Sequence, residues 1–301
     1  MVNTVFENIK LRLEHQDIEL FIKPEYLIHK HISGNKYRKL KYNLQEAKAS
    51  GQKILLTFGG AYSNHIAAAA AAGNENNFKT IGVIRGEELQ ERIPENPTLR
   101  FAQSQGMQLH FISRELYREK SSQDFIKLLK EWFGEFYLLP EGGTNILAVK
   151  GCEEILTQQD EDFNYICCPV GTGGTISGLI NASKQYQTIL GFPALKGDFL
   201  NQEIAQWTSK DNWELITDYH FGGYAKINTE LITFINWFKI TYHIPLDPVY
   251  TGKMLFGIFE LLKSGFFKPG DKILAIHTGG LQGIQGMNLK LSRKKMPLIL
   301  E

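Results

Sequence analysis

Cysteine is scarce in this 301-residue chain, and the three present, Cys152, Cys167 and Cys168, exclude two broad classes of protein. Two are adjacent, a poor geometry for pairing, and the odd count leaves no disulfide framework. None has the partners at the spacing of a zinc site. Net charge is nearly absent too. With 33 basic and 32 acidic residues the balance is +1 at pH 7, so bulk electrostatics favour neither nucleic acid nor an anionic membrane surface. Long apolar runs are missing: the most membrane-like stretch, IAAAAAAG at 66–73, falls far short of the roughly 18 residues that a spanning helix needs. The first twenty residues, MVNTVFENIKLRLEHQDIEL, lack the apolar core and small-residue cleavage site of a secretory signal. These absences predict a cytoplasmic protein with no membrane or nucleic-acid partner.

What is present fits a globular protein, with 43% hydrophobic and 22% charged residues. The length suits one large domain or two smaller ones. Short apolar runs, namely KILLTFGG (53–60), TIGVIRG (80–86), LHFIS (109–113), EFYLLPEGG (135–143), YICCPVG (165–171), TILGFPAL (188–195) and KILAIHTGG (272–280), alternate with helical stretches such as KYRKLKYNLQEAKAS and SQDFIKLLKEWF. Near-continuous apolar strands alternating with helices predict an α/β fold whose parallel sheets are covered on both faces. Glycine pairs stand at 59–60, 142–143, 173–174, 222–223 and 279–280, several at strand ends. In open α/β sheets ligands bind at the carboxyl ends of strands, so these pairs are expected around one crevice, although Gly-Gly also serves as turn punctuation.

Three stretches carry chemistry. PVGTGGTISG, 169–178, places a glycine-rich loop between a strand and a helix start. Free backbone N–H groups and the positive end of the helix dipole would together hold a phosphate or another anion. No Gly-Lys-Ser/Thr follows, and Ile176 occupies the last glycine position of a dinucleotide fingerprint counted from Gly171. A small phosphate group, or a purely structural turn, remains. SGNKYRKL, 33–40, leads a short turn into a helix bearing Lys36, Arg38 and Lys39. It is either a solvated basic face or a lysine whose ammonium form is disfavoured at the helix N-terminus, which favours an amine nucleophile. GGAYSNH, 59–65, puts a hydroxyl, an amide and an imidazole at the start of the alanine-rich helix, and Ser63 there is also an ordinary N-cap.

In register, GNKYRKL, SNH, GTGGT, PLDPVYTGK and HTGG resemble the pyridoxal-phosphate enzymes of the tryptophan-synthase β type (fold type II). Among these the chain resembles the 1-aminocyclopropane-1-carboxylate deaminase and D-cysteine desulfhydrase family, from Gly34 to Gly280. The resemblance implies that Lys36 carries pyridoxal phosphate covalently and later moves the substrate proton. It assigns the cofactor phosphate to Gly171, Thr172, Gly173, Gly174 and Thr175, with Lys39 assisting, the phenolic oxygen to Asn64, and the pyridine nitrogen to Thr278. Ser63 and His65 would face the substrate, Ser63 at its carboxylate or in proton transfer. Tyr250 and Tyr224 would position the substrate and take part in catalysis, and Tyr62 and Thr251 would shape its pocket.

A threonine hydroxyl, unlike a carboxylate, does not hold the ring nitrogen protonated, so the ring is a moderate electron sink. β-Elimination fits such a sink: the α-proton is removed, the β-substituent departs, and the remainder hydrolyses to a 2-oxo acid and ammonia. Thr251 and Thr278 match the desulfhydrase-like pattern, which favours D-cysteine or a related β-substituted amino acid over opening of the cyclopropane ring. The chain departs from the family pattern in KPEYLIHKHISGNK, at Tyr62 where glutamine is common, at Glu141, and in a shorter region around 196–215. The rival reading is a non-catalytic or nucleotide-binding α/β protein using the glycine loop for another phosphate. The expected architecture is a larger cofactor-binding domain of residues 1–45 and 146–301 and a smaller one of 46–145, with the cofactor in the cleft. A homodimer is expected as well.

Overall fold

A computed structural model describes residues 6–13 and 17–301. Parts of the N-terminal stretch read above for a secretory signal, 1–5 and 14–16, lie outside the described residues. The chain opens with β1 (Ile9–Leu11), β2 (Glu19–Lys23) and α1 (Asn35–Ala49). An alternating region follows: β3 (Ile54–Gly59), α2 (Asn64–Glu75), β4 (Lys79–Arg85), α3 (Pro97–Ser104), β5 (Met107–Ile112), α4 (Gln123–Phe133) and β6 (Tyr137–Leu139). The remainder comprises α5 (Ile146–Glu153), β7 (Tyr165–Val170), α6 (Gly174–Ala182), β8 (Thr188–Pro193), α7 (Phe199–Ala205), β9 (Trp213–Leu215), α8 (Thr229–Tyr242), α9 (Thr251–Lys263), β10 (Lys272–Ile276) and α10 (Gly283–Arg293).

Two sheets result. One has the order β5-β4-β3-β6 and is parallel throughout, with Leu56 opposite Ile81 and Leu138. The other runs β1-β2-β10-β7-β8-β9 and is parallel except for the β1–β2 pair. The seven apolar runs of the sequence all supply strands, most of which stop at or a few residues before glycine or proline. TILGFPAL ends its strand at Pro193, and KILAIHTGG ends at Ile276. Three further strands did not stand out: β1 and β9 are three-residue edge strands, and β2, ELFIK, has an apolar run of only three residues. Burial explains the runs that did: five of the six residues of β3 and all but the first of β7 are buried, as expected for strands covered on both faces.

Helix packing brings the ends of these strands together. α5 lies between α1 and α6, and the contacts are close because they run over glycine. A Cβ on Gly151 of α5 would fall 2.0 Å from the Arg38 carbonyl oxygen on α1, and one on Gly178 of α6 would fall 2.5 Å from Cys152 Cβ. The basic start of α1 is thereby set beside the start of α6. Buried ion pairs lock the arrangement: Arg38 Nε donates to Glu25 at 2.8 Å, and Lys23 Nζ donates to Asp160 at 2.6 Å from inside β2. Four of the five glycine pairs contribute at least one residue to the cavities between the sheets. The exception is 222–223, where the Gly223 carbonyl instead accepts from Lys253 at 2.8 Å.

Candidate active site

A cavity of about 60 Å³ lies where the loop after β7 meets α1 and the turn after β10. β7 stops at Val170 and α6 begins at Gly174. Between them Gly173 adopts φ 80°, a conformation costly for any residue with a Cβ. The first-turn N–H groups of α6 find no carbonyl within their own helix, and they lie at its positive end. Lys39, buried at 2% exposure, extends to the same place. Its ammonium donates to Thr144 Oγ1 at 2.9 Å, to the Gly142 carbonyl at 3.2 Å and to Thr172 Oγ1 at 3.5 Å. A Cβ on Gly174 would stand 2.7 Å from Thr144 Cγ2 and 3.3 Å from Lys39 Nζ, so glycine is needed for the lysine to reach under the loop. Thr175 Oγ1 accepts from Asn35 Nδ2 at 2.8 Å, which ties the loop to the start of α1.

Lys36 stands at the second position of α1 and lines the same cavity. Its placement depends on Gly34, which has φ 60° and whose Cβ would lie 1.9 Å from the Thr278 carbonyl oxygen. The backbone there is as close as two segments can come, and Asn35 N–H seals it by donating to that oxygen at 3.2 Å. The Lys36 ammonium reaches the Gly142 carbonyl at 3.4 Å. Burial, followed by the nearby charge of Lys39, lowers its pKa to about 7. The expected depression is therefore present, with burial as its largest cause and the neighbouring cation next. Burial also lowers the pKa of Lys39.

The other walls come from α2 and the turns before α9 and α10. Ser63 caps α2, its hydroxyl accepting from Ile66 N–H at 3.3 Å. Asn64 lines the small cavity and holds Gln282 Nε2 on its Oδ1 at 3.0 Å. Thr278 and Tyr250 line the small cavity as well. Asn64, Tyr250 and Gly280 are shared with a second, larger cavity of about 520 Å³, where Tyr62, Ser63 and Tyr224 also lie. The Tyr224 and Tyr250 rings are 6.2 Å apart at 64°, and burial raises the pKa of both phenols, so both stay protonated at neutral pH.

Two residues expected to face a substrate are placed elsewhere. His65 is buried behind the Gly142–Gly143 turn, where a Cβ on Gly143 would touch its ring at 2.7 Å. Its Nε2 lies 2.8 Å from Thr57 Oγ1, and that hydroxyl donates to the Leu139 carbonyl at 2.9 Å. The hydroxyl has one proton, so Nε2 must be the donor and Nδ1 carries the lone pair. The ring is held neutral, its pKa lowered by burial, Lys36 and Lys39. Thr251 is fully buried at the start of α9, and its hydroxyl donates to Asp247 Oδ1 at 2.8 Å.

Asp247 was missed in the sequence. Its carboxylate accepts from the backbone N–H of Val249, Tyr250 and Thr251 at 2.7–3.0 Å and so fixes the turn that presents Tyr250. An aspartate two to four residues ahead of a helix start, flanked by prolines, is the available signal. Arg85, at the end of β4, and Gln282 were missed as well and line the cavities; nothing local in the sequence marks them.

The donors around the small cavity fit a phosphate: free helix N–H groups, hydroxyls and two lysines, with no carboxylate among its lining residues. An amine of lowered pKa, an amide and a threonine line the same cavity as these phosphate donors, a set that could hold pyridoxal phosphate. Comparison with known proteins agrees. The family profile for pyridoxal-phosphate dependent enzymes matches residues 8–279. A putative 1-aminocyclopropane-1-carboxylate deaminase of Pyrococcus horikoshii is 32% identical over 298 residues, spanning 88% of this chain and 85% of that protein. The mitochondrial bifunctional D-cysteine desulfhydrase/1-aminocyclopropane-1-carboxylate deaminase of Arabidopsis thaliana is 30% identical, over 88% of this chain and 73% of its own length. The crystal structure of a homologue of 1-aminocyclopropane-1-carboxylate deaminase superposes with a TM-score of 0.77 at 30% identity, covering 91% of this chain and 88% of that one. The chain therefore belongs to the pyridoxal-phosphate-dependent enzymes of fold type II, in the 1-aminocyclopropane-1-carboxylate deaminase/D-cysteine desulfhydrase family.

Proposed function

We propose that this enzyme removes the α-proton and a β-substituent from a small amino acid and yields a 2-oxo acid and ammonia, in the manner of a D-cysteine desulfhydrase. The observation that carries this reading is Lys36: an amine with pKa about 7, inside the cleft and beside the phosphate cradle. Such a group is about half neutral at pH 7, the state a base or amine nucleophile needs, and it remains acidic enough to return the proton. Bound pyridoxal phosphate supplies the electron sink for the α-carbon. Gly171 to Thr175, with Lys39, hold its phosphate. Asn64 and Thr278 hold the opposite edge, Thr278 by a neutral hydroxyl. Ser63, at the start of α2, receives the substrate carboxylate in this reading, supported by the helix dipole, which favours an anion there. Tyr224 and Tyr250, both kept protonated, donate hydrogen bonds to the substrate and its leaving group. Asp247 and His65 act behind them as positioning residues.

Opening of the cyclopropane ring is the second reading, favoured by the names of the relatives above. We further propose that residues 46–145 form a smaller unit that closes the cleft over the substrate and that the enzyme is a homodimer, which light scattering tests directly. Among the described residues no helix is long and apolar enough to cross a membrane. The decisive experiment is release of 2-oxo acid from D- and L-amino acids and from the cyclopropane amino acid, for the cofactor-loaded protein and for Lys36→Ala. Full activity in Lys36→Ala would refute the assignment of the base, and release from the cyclopropane substrate alone would replace the first reading by the second.

A further inference from the structure

The large cavity carries a charge pattern that a neutral amino acid leaves unused. Its volume of about 520 Å³ lies in the range of roughly 300–1,000 Å³ that holds small-molecule ligands. Four cations line it: Arg85 from the end of β4, and Lys290, Arg293 and Lys294 from the end of α10. The one carboxylate in the lining, Asp247, is consumed by three backbone N–H groups and the Thr251 hydroxyl. Arg293 pairs with Glu95 at 2.8 Å. The other three cations form no ion pair among the described residues. Lys290 reaches only the carbonyl of Ala225, at 3.3 Å, next to Tyr224. Arg85 lies over the Tyr117 ring at 5.7 Å, and its Nη2 would be 3.8 Å from a Cβ placed on Gly60, beside the Tyr62–Ser63 turn.

Basic residues at the end of α10 also complement its dipole, but that does not account for Arg85, which stands at a strand end in the other sheet and lines the same cavity. Cation crowding is felt there: burial, Lys294 and Lys226 together lower the pKa of Lys290. We propose that the amino acid taken into this cavity bears a second acidic group, a carboxylate, phosphate or sulfonate, which is held between Arg85 and Lys290. The proposal rests on the amino-acid lyase reading above and moves its substrate away from cysteine itself.

The test uses the cofactor-loaded enzyme and follows both the visible cofactor spectrum and release of 2-oxo acid. The panel is D- and L-aspartate and O-phosphoserine against D- and L-cysteine and alanine. At least one acidic member should bind tenfold or more tightly than alanine of the same hand. Arg85→Gln and Lys290→Gln should each cut that ratio by about tenfold or more, the worth of a charge-assisted hydrogen bond, and added salt should narrow it. Neutral members binding as tightly as every acidic one, or ratios unmoved in both variants, would overturn the inference while leaving the lyase reading intact. A protein that takes up no cofactor, or whose spectrum ignores every amino acid, would overturn the lyase reading and this inference with it.

Discussion

The low pKa of Lys36 is the feature on which the proposed chemistry turns, and the structure says which neighbour maintains part of it. Lys36 and Lys39 both donate to the Gly142 carbonyl, at 3.4 and 3.2 Å, so their ammonium groups are no more than about 6.6 Å apart. At an effective dielectric of about 20, two unit charges at that distance repel by about 2.5 kcal/mol, or close to two pKa units. Replacing Lys39 by Met removes the repulsion but leaves the larger cause, burial, in place. We expect the Lys36 pKa to rise from about 7 by one to two units, still below an ordinary lysine. The neutral amine is the reactive form, so the reactivity profile should move to higher pH. The assay is the pH dependence of Lys36 labelling by an amine-selective reagent in the cofactor-free protein, read by peptide mass spectrometry. It reports the midpoint and is blind to any change in phosphate binding that Lys39→Met brings under the proposed role of Lys39. Lys39→Arg keeps the charge and should keep the midpoint near its original value. A midpoint that stays put in Lys39→Met, or that moves to lower pH, would refute the electrostatic account.

Linkage gives a second expectation. The folded pKa of Lys36 lies below its unfolded value of 10.5, so between about 7 and 10.5 the unfolded chain binds more protons and stability rises with pH. Lys36→Met should therefore raise the melting temperature of the cofactor-free protein most below pH 7, with the gain shrinking towards pH 10; a gain that grows with pH would contradict it. Gly34→Ala forces a Cβ to within 1.9 Å of the Thr278 carbonyl oxygen at φ 60°. The backbone strain alone should cost about 1–3 kcal/mol, visible as a lowered urea midpoint together with weakened cofactor uptake. Lys23→Met leaves Asp160 buried without its cation and should cost about 3–5 kcal/mol in urea unfolding. Adding Asp160→Leu should recover part of that loss.

How far the sequence disclosed this protein follows from the range over which each feature is determined. Strand β3 and the loop after β7 are written in consecutive residues: apolar runs fix burial on both faces, and glycines mark where the backbone must turn under a ligand. Both were legible in the residues themselves, whereas the grouping of Lys36, Asn64, Gly171 to Gly173 and Thr278 was implied by the family resemblance, and all of them line one cavity. The resemblance also set His65 and Thr251 at the substrate, yet both are buried and line neither cavity. Which side of a helix start faces the cleft depends on what packs behind it. The Gly142–Gly143 turn covers His65, and Asp247 captures the Thr251 hydroxyl, neither of which can be read from the segment itself. Arg85 is the limiting case. It is a strand-terminal arginine with no local peculiarity, and only the approach of α10 from the other sheet turns it into one wall of a cationic cavity. Local sequence thus marked the glycine loop and the lysine-bearing helix start that line the small cavity, where backbone and junction geometry dominate. The groups that would choose the substrate are assembled across the cleft, from segments about 200 residues apart in the chain, and only the fold brings them together.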